Sequence, residues 1–349
     1  MKQKKITIID IAEKTGLSKG TVDRVIHNRG EVSAKSREKV LQAIREFGYE
    51  PNLHASMLAS GHRKTVVLLI PSPSSGSFWT LLTEGMKKAA ETVGPLGIDC
   101  KAVTYDQYDL ASFRVVCDQV LAMHPDGVVL APMFHYESYS LGERLHAERI
   151  PFVLVDSKIE NKNYLAYFGM QEYASGYLCA DQLTLGMAVQ QVLIVRISPD
   201  RDRQADPTAG RRTGFLDYLA EHCPGCEVIQ TFIHPSDPVQ IRQAMEEVFA
   251  AHPGIRHIVM FNSRIHRIVP FLEANPDPQR RVVGFDNLAE NMAALRKGTI
   301  SVLIGQRPGE QVAQAIQALA DYLLLDKKPA LKDNHMHMDI LTRYNIDYY

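Results

Sequence analysis

Residues 7–26, TIIDIAEKTGLSKGTVDRVI, contain the pattern that decides the fold of the first part of the chain. Thr7 is a good N-cap, and the apolar residues after it follow the i, i+3, i+4 spacing of a helix. Gly16 permits a tight turn, and Ser18 can cap a second short helix. The second helix would bury Val22, Val25 and Ile26. Two short helices joined by a turn that contains glycine predict a helix-turn-helix.

A third helix is predicted to begin after Ser33 and to end at Gly48, before Pro51. Its expected buried residues are Val40, Leu41, Ile44 and Phe47. Three short helices around one small core predict a DNA-binding head over residues 1–50.

The polar face of the second helix indicates what this head binds. Lys19, Gly20 and Thr21 form its first turn, and Arg24 lies one turn later. A recognition helix places such residues in the major groove, where Lys and Arg can bond guanine. The expected phosphate-contacting residues are Thr7, Ser18 and Ser33. Residues 1–64 carry a net charge of +6 and the remainder −7, which favours a polyanionic partner for the head alone.

Several short strings in this region resemble the head of the lactose-repressor (LacI/GalR) family. They are TIIDIA (7–12), GLS (16–18), TVDRVIH (21–27), VSAKSREKV (32–40) and GYEPN (48–52). The resemblance implies base-reading positions at Lys19, Gly20 and Arg24. Two of the residues depart from the family pattern: Gly20 has no side chain to read a base, and Asp23 places a carboxylate near phosphates.

Residues 51–64 are predicted to form a hinge helix and linker. By itself this stretch is a short amphipathic segment, unstable as an isolated helix, and a flexible linker is the alternative. The family resemblance implies a helix that folds on DNA, with Asn52 and Leu58 as contacting residues and Leu58 as the minor-groove wedge.

From Val66 onward, apolar strand runs alternate with helical stretches. The runs are 66–70, 127–130, 152–155, 192–195, 255–261 and 281–285, and a helix is expected at 78–93. This alternation predicts an α/β fold with parallel sheets covered by helices. Its length, residues 65–349, favours two lobes with a cleft between them. Polar residues that follow strands, among them Asp156 and Arg196, are candidates for that cleft.

The second part resembles periplasmic sugar-binding proteins, nearest to the ribose-binding type. The matching strings are SSGSFW (74–79), VVGFD (282–286) and IGQRP (304–308). The resemblance implies an effector site, with Arg211 as the ligand-binding arginine and Arg212 as the alternative. The expected effector-binding residues are Phe78, Trp79, Phe134, His135, Arg211, Asn262, Asp286 and Gln306. Aromatic faces can stack on a sugar ring while amide and charged groups bond its hydroxyls.

Other classes of protein fit the sequence less well. No apolar run is long enough to cross a membrane and no signal peptide is evident, so a cytoplasmic location is expected. Five widely spread cysteines do not indicate a disulfide framework, and Cys223-Pro-Gly-Cys226 lacks a second pair for zinc. We find no nucleotide-binding, zinc-protease or serine-hydrolase motif. Therefore no enzyme activity, cofactor or metal is expected. His335 and His337 lie on one face of a predicted strand, and we interpret that face as a solvated surface instead of a metal site.

The sequence thus predicts a homodimeric transcriptional regulator, a repressor that binds double-stranded operator DNA and is controlled allosterically by a small carbohydrate between its lobes. An alternative keeps this architecture but replaces the sugar with a purine, a phosphorylated metabolite or a protein partner. A sugar carrier without DNA binding, or an enzyme on the same fold, are the alternatives from other classes.

Overall fold

A computed structural model describes residues 6–26, 30, 32–47, 63–197 and 208–349. The chain divides at Arg63–Lys64 into two compact units. The predicted hinge helix, with Asn52 and Leu58, lies outside the described residues.

The first unit contains three short helices whose starts carry the expected caps. They are α1 (Ile8–Thr15), α2 (Lys19–Ile26) and α3 (Ala34–Phe47). Thr7 and Asp10 form a capping box, with the Thr7 amide donating to the Asp10 carboxylate at 2.7 Å. Gly16 ends α1 with φ of 67°, a conformation that glycine adopts without strain. Ser18 and Ser33 accept backbone hydrogen bonds at the starts of α2 and α3.

The core of the head is small, and it excludes two residues of α3 that were predicted to be buried. The buried residues are Ile11, Val22, Val25, Val40 and Ala43. Ile44 packs against them, but Leu41 is 42% exposed and Phe47 is 37% exposed, so the prediction that both are buried is wrong. Since successive helical residues are about 100° apart, the inward side of α3 passes through Val40, Ala43 and Ile44 and turns Leu41 outward.

The second unit contains two lobes, each built on a six-stranded sheet. The first-lobe sheet has the order β11-β5-β4-β3-β1-β2 and its paired strands are all parallel. These strands are β1 (Lys64–Pro71), β2 (Ile98–Tyr105), β3 (Gly127–Leu130), β4 (Phe152–Val155), β5 (Ala166–Gly169) and β11 (Asp333–His335). Its helices are α4 (Phe78–Val93), α5 (Leu110–Ala122), α6 (His135–Ala147) and α12 (Pro308–Leu325).

The second-lobe sheet has the order β12-β10-β9-β8-β6-β7, with β12 antiparallel to β10. Its strands are β6 (Gln191–Ile197), β7 (Glu227–Ile233), β8 (His257–Val259), β9 (Arg281–Phe285), β10 (Val302–Gly305) and β12 (Asp339–Leu341). Its helices are α7 (Glu172–Thr184), α8 (Ala209–His222), α9 (Pro238–Ala251), α10 (Val269–Ala274) and α11 (Ala289–Lys297).

The chain passes between the lobes at three places in the described residues. These crossings follow β5, β10 and β11. The helix after each of the first two crossings packs in the lobe it enters, α7 in the second lobe and α12 in the first. Each lobe is therefore assembled from separate parts of the chain, and the ends of its parallel strands lie beside the crossings.

Most of the predicted strands are confirmed, as is the helix over 78–93. One predicted run is too long: residues 255–261 form a strand only over His257–Val259. The flanking residues Ile255, Met260 and Phe261 are buried without continuing the strand, so their apolar character reflects core packing instead of pairing. Cys223 and Cys226 lie in the short connection between α8 and β7, and both are free thiols.

Candidate nucleic-acid surface and effector cleft

The exposed face of α2 carries the residues predicted to read bases. Lys19, Gly20 and Arg24 are exposed, and Thr21 is half-buried with its hydroxyl 2.9 Å from that of Ser18. Val22 and Val25, on the opposite side of the helix, are buried in the core of the head. A helix whose apolar side is anchored in this way leaves its polar side available to a groove of DNA.

In the second unit, Asp286 lies directly after β9 at the junction of the lobes. Its backbone adopts φ of 67°, an uncommon conformation for a residue other than glycine and one that clusters at functional sites. The side chain is 1% exposed, and Oδ2 accepts a hydrogen bond of 3.2 Å from Nε2 of Gln306. Oδ1 is buried and has no hydrogen-bond partner among the described residues. A buried carboxylate oxygen without a donor is suited to accept one from a ligand.

Arg211, in the first turn of α8, is held in place by three strand ends of the second lobe. Its guanidinium donates to the carbonyl of Phe261 at 2.9 Å and to Oε1 of Gln306 at 3.1 Å. The same group lies 4.7 Å from the centre of the Phe285 ring. The side chain is only 7% exposed, so the arginine is positioned before any ligand arrives. Gly176 of α7 permits this, because a Cβ there would overlap the backbone carbonyl of Arg211.

Asp156 brings a second carboxylate to this place from the first lobe. It follows β4 with φ of 65°, and its backbone amide donates to Oε1 of Gln311 at 3.0 Å. Gln311 in turn donates to the carbonyl of Gln306 at 2.8 Å. Asp156 was a strand-end candidate in the sequence but was not among the predicted effector residues; in the structure it lies close enough to Arg211 for the guanidinium to act on its carboxylate.

The two carboxylates share the field of one guanidinium. Burial raises the pKa of Asp286 to about 7, an effect opposed by Arg211 and reinforced by the charge of Asp156. Burial also raises the pKa of Asp156, again opposed by Arg211. With both carboxylates ionised, this group of three carries a net charge of −1.

Asn262 lies at the same end of the second-lobe sheet. It is half-buried, and its Oδ1 accepts from the amide of Arg264 at 2.9 Å, which leaves its amide nitrogen as the donor toward a ligand. Asn291, which the sequence analysis missed, is fully buried and donates to the carbonyls of Ser263, Phe285 and Asp286. It joins the loops after β8 and β9 and thereby fixes the backbone of Asp286.

The predicted aromatic residues do not gather at one point. Phe78 and Trp79 are buried in a first-lobe core and contact each other edge-on, with Nε1 of Trp79 donating to Gln107 at 3.2 Å. Phe134 packs against Phe113 on the other face of that sheet. The stacking role of these rings stays a prediction. His135 is exposed and lines a separate cavity in the first lobe.

Two family descriptions match this chain. Residues 7–52 match the bacterial regulatory proteins of the lacI family, and residues 66–328 match a periplasmic binding protein domain. A protein of known structure from Bacteroides fragilis, described as a LacI transcriptional regulator, is 30% identical with a TM-score of 0.78, covering 82% of this chain and 99% of its own. The chain belongs to the lacI family of regulatory proteins.

Curated relatives of this lacI-family regulator include repressors. The sucrose operon repressor of Klebsiella pneumoniae is 28% identical over 70% of this chain and 71% of its own length. The transcriptional regulator DegA of Bacillus subtilis is 32% identical, but that match spans only 43% of this chain and 44% of DegA. These matches confirm the predicted family, the two-part α/β architecture and a DNA-binding regulatory role.

Among the described residues of the regulator, no helix combines the length and the apolar character needed to cross a membrane. Within the same ranges, no cluster of three His, Cys, Asp or Glu side chains could hold a metal ion.

Proposed function

We propose that this regulator is a homodimeric repressor in the cytoplasm whose affinity for a near-palindromic operator is set by a small neutral carbohydrate bound at Arg211, Asp286 and Gln306. The observation that carries the effector site is the buried chain of hydrogen bonds from Arg211 through Gln306 to Asp286, which ends on an oxygen without a donor. The sugar-operon repressors among the relatives favour the same effector class.

The charges at the site favour a neutral polyol over a phosphorylated one. A sugar hydroxyl is both donor and acceptor, so it can donate to Asp286 Oδ1 and accept from the guanidinium of Arg211. Once both carboxylates are ionised, a phosphate dianion brought beside them and the one arginine would meet a net negative charge at low dielectric. Purines remain an alternative effector class, since their ring edges also combine donors and acceptors.

Control of DNA binding requires the effector to favour one arrangement of the lobes. Asp156 comes from the first lobe and Arg211, Asp286 and Gln306 from the second, so a ligand that bonds both sides is bound differently when the lobes move apart. The head carries Lys19, Thr21 and Arg24 for the operator, with Thr7, Ser18 and Ser33 for its phosphates. Asn52 and Leu58 are the further residues that we propose contact DNA.

The effector class is tested by a thermal-shift screen of the purified chain against monosaccharides, disaccharides, sugar phosphates and purines. A ligand present at 100 times its dissociation constant adds about 2.7 kcal/mol to the free energy of unfolding. A stabilising neutral sugar that also changes Trp79 fluorescence supports the proposal. Stabilisation by phosphates alone, abolished by substitution of Asp286, contradicts the neutral-sugar site.

The site itself is tested with Asp286→Ala. We expect this variant to lose the ligand response while it binds operator DNA as the parent does, because Asp286 belongs to the second unit. A normal response of Asp286→Ala to the identified effector would place the cleft elsewhere. Analytical ultracentrifugation of the DNA-free and DNA-bound chain measures its molar mass, which tests the proposed dimer.

A further inference from the structure

A cavity of about 480 Å³ on the first lobe is lined by positively charged side chains and includes none of Arg211, Asp286 and Gln306. Its lining consists of His135, Lys158, Ile159, Glu160, Asn161, Lys162, Tyr164 and Lys332. Three lysines face one glutamate in this set. A volume of this size lies within the range of small-molecule sites, roughly 300–1,000 Å³.

Two of the lysines are held in place instead of extending freely into solvent. The ammonium of Lys332 donates to the carbonyl of Lys162 at 2.6 Å and lies 4.3 Å from the centre of the Tyr164 ring. The ammonium of Lys158 lies 5.9 Å from the same ring. The Tyr164 hydroxyl is fixed in turn by Asp333 at 2.8 Å. Preorganised donors lose less conformational entropy when a ligand binds.

The positive charge of the cavity is only partly neutralised. Lys158 forms an ion pair of 2.5 Å with Asp333. Among the described residues no carboxylate lies within ion-pair distance of Lys162 or Lys332. His135 is the first residue of α6, a helix of 13 residues, and the partial positive charge of its N-terminus adds to that of the lysines.

We propose that this cavity binds the phosphate group of a small metabolite, at a site distinct from the neutral-sugar cleft. Lys162 and Lys332 supply the charge, and Lys158 and His135 at the start of α6 complete the charged lining. A concave pocket favours a small anion over an extended polyanion such as duplex DNA. The proposal goes beyond the proposed function and does not depend on the identity of the sugar effector.

The test is a ³¹P NMR titration of the full chain with inorganic phosphate and with glycerol 3-phosphate, at constant ionic strength set by chloride. We expect saturable binding that weakens about threefold in Lys162→Gln and in Lys332→Gln, and about tenfold in the double variant, as for partly exposed charge pairs. Lys328→Gln, an exposed lysine outside the cavity, is the matched control and should bind as the parent does. Tighter binding of glycerol 3-phosphate than of inorganic phosphate would identify an organic phosphate as the ligand; equal binding would identify the free anion.

Asp286→Asn separates this site from the cleft. Phosphate affinity should be unchanged in Asp286→Asn, while the sugar response is altered. Equal phosphate affinity in the parent and the Lys162→Gln/Lys332→Gln double variant, or loss of phosphate binding in Asp286→Asn, would overturn the proposal. Thermal melts of each variant confirm that it is folded.

Discussion

Asp286 is the residue whose environment has the clearest chemical consequence. Its raised pKa, about 7, arises because burial disfavours the carboxylate more than Arg211 favours it. The neutral acid could still accept a hydrogen bond, but more weakly than the anion, whose bonds from hydroxyl donors are about twice as strong. Protonation of this one group therefore weakens the proposed sugar contact.

Effector affinity should consequently depend on pH around neutrality. Binding that prefers the ionised form strengthens as pH rises through about 7 and levels off above it. We expect up to a tenfold loss of affinity per pH unit below that value, measured by calorimetry between pH 5.5 and 8.5. Asp286→Asn should flatten this profile; because Asp156 shares the same field, a residual slope would belong to the pair. A parent profile that is flat across this range would contradict the assignment.

In the DNA-binding head, Arg24 is the residue whose substitution should most directly change operator binding. It is exposed on α2, one turn after Lys19, where a bidentate contact with guanine is worth about 1–3 kcal/mol. Arg24→Ala should therefore weaken binding to the operator by that amount and affect non-specific DNA much less. Arg45→Ala, which removes the same charge from the end of α3, is the control in electrophoretic mobility shifts. If both variants lost the same affinity for operator and for non-specific DNA, Arg24 would contribute only its charge and would not read a base.

At the scale of elements, α7 and α8 are packed so closely that two glycines are required. A Cβ on Gly176 would overlap the carbonyl of Arg211, and one on Gly214 would overlap that of Tyr173. Gly176→Ala should therefore destabilise the second unit by about 1–3 kcal/mol and displace Arg211, with weaker effector binding. Gly94→Ala is the control, since a Cβ there meets nothing within 4 Å. If urea titrations gave the same free energy of unfolding for both variants, α7 and α8 would be able to move apart without loss of stability, which would contradict the prediction.

The sequence predicts several of the strands that are buried on both sides, but not all of them. β1, β3, β4 and β9 are continuous apolar runs and were predicted, whereas the edge strands β2 and β7, with mixed burial, and the short buried strands β5 and β10 were missed. For the site, Arg211, Asp286 and Gln306 were predicted from strand ends and resemblance. Their hydrogen bonds join residues up to 95 positions apart, and such pairings depend on strand order, which local periodicity does not contain. Asp156 was named as a strand-end candidate, but its proximity to Arg211 was not predicted, for the same reason.

At the scale of the whole second unit, the lobes also contact each other away from the carboxylates. Tyr108, in the loop between β2 and α5, accepts a hydrogen bond of 2.6 Å from Nη1 of Arg264, in the loop after β8. The guanidinium also lies 5.8 Å from the centre of the Tyr108 ring. This contact joins the two lobes directly, so it must break whenever they separate.

Removing the Tyr108 hydroxyl should therefore accelerate effector release more than it changes effector capture. Tyr108→Phe deletes a hydrogen bond to a charged group, worth about 1.5–3 kcal/mol when shielded and less for a partly exposed pair, so we expect dissociation about three- to tenfold faster. Stopped-flow fluorescence can follow it through Trp79, whose indole donates to Gln107, the neighbour of Tyr108. Tyr136→Phe, on an exposed part of α6, is the control. An unchanged dissociation rate in Tyr108→Phe would mean that contacts with the effector, and not the Tyr108–Arg264 contact, hold the lobes together. A slower association rate would mean that the Tyr108–Arg264 contact forms before the effector enters.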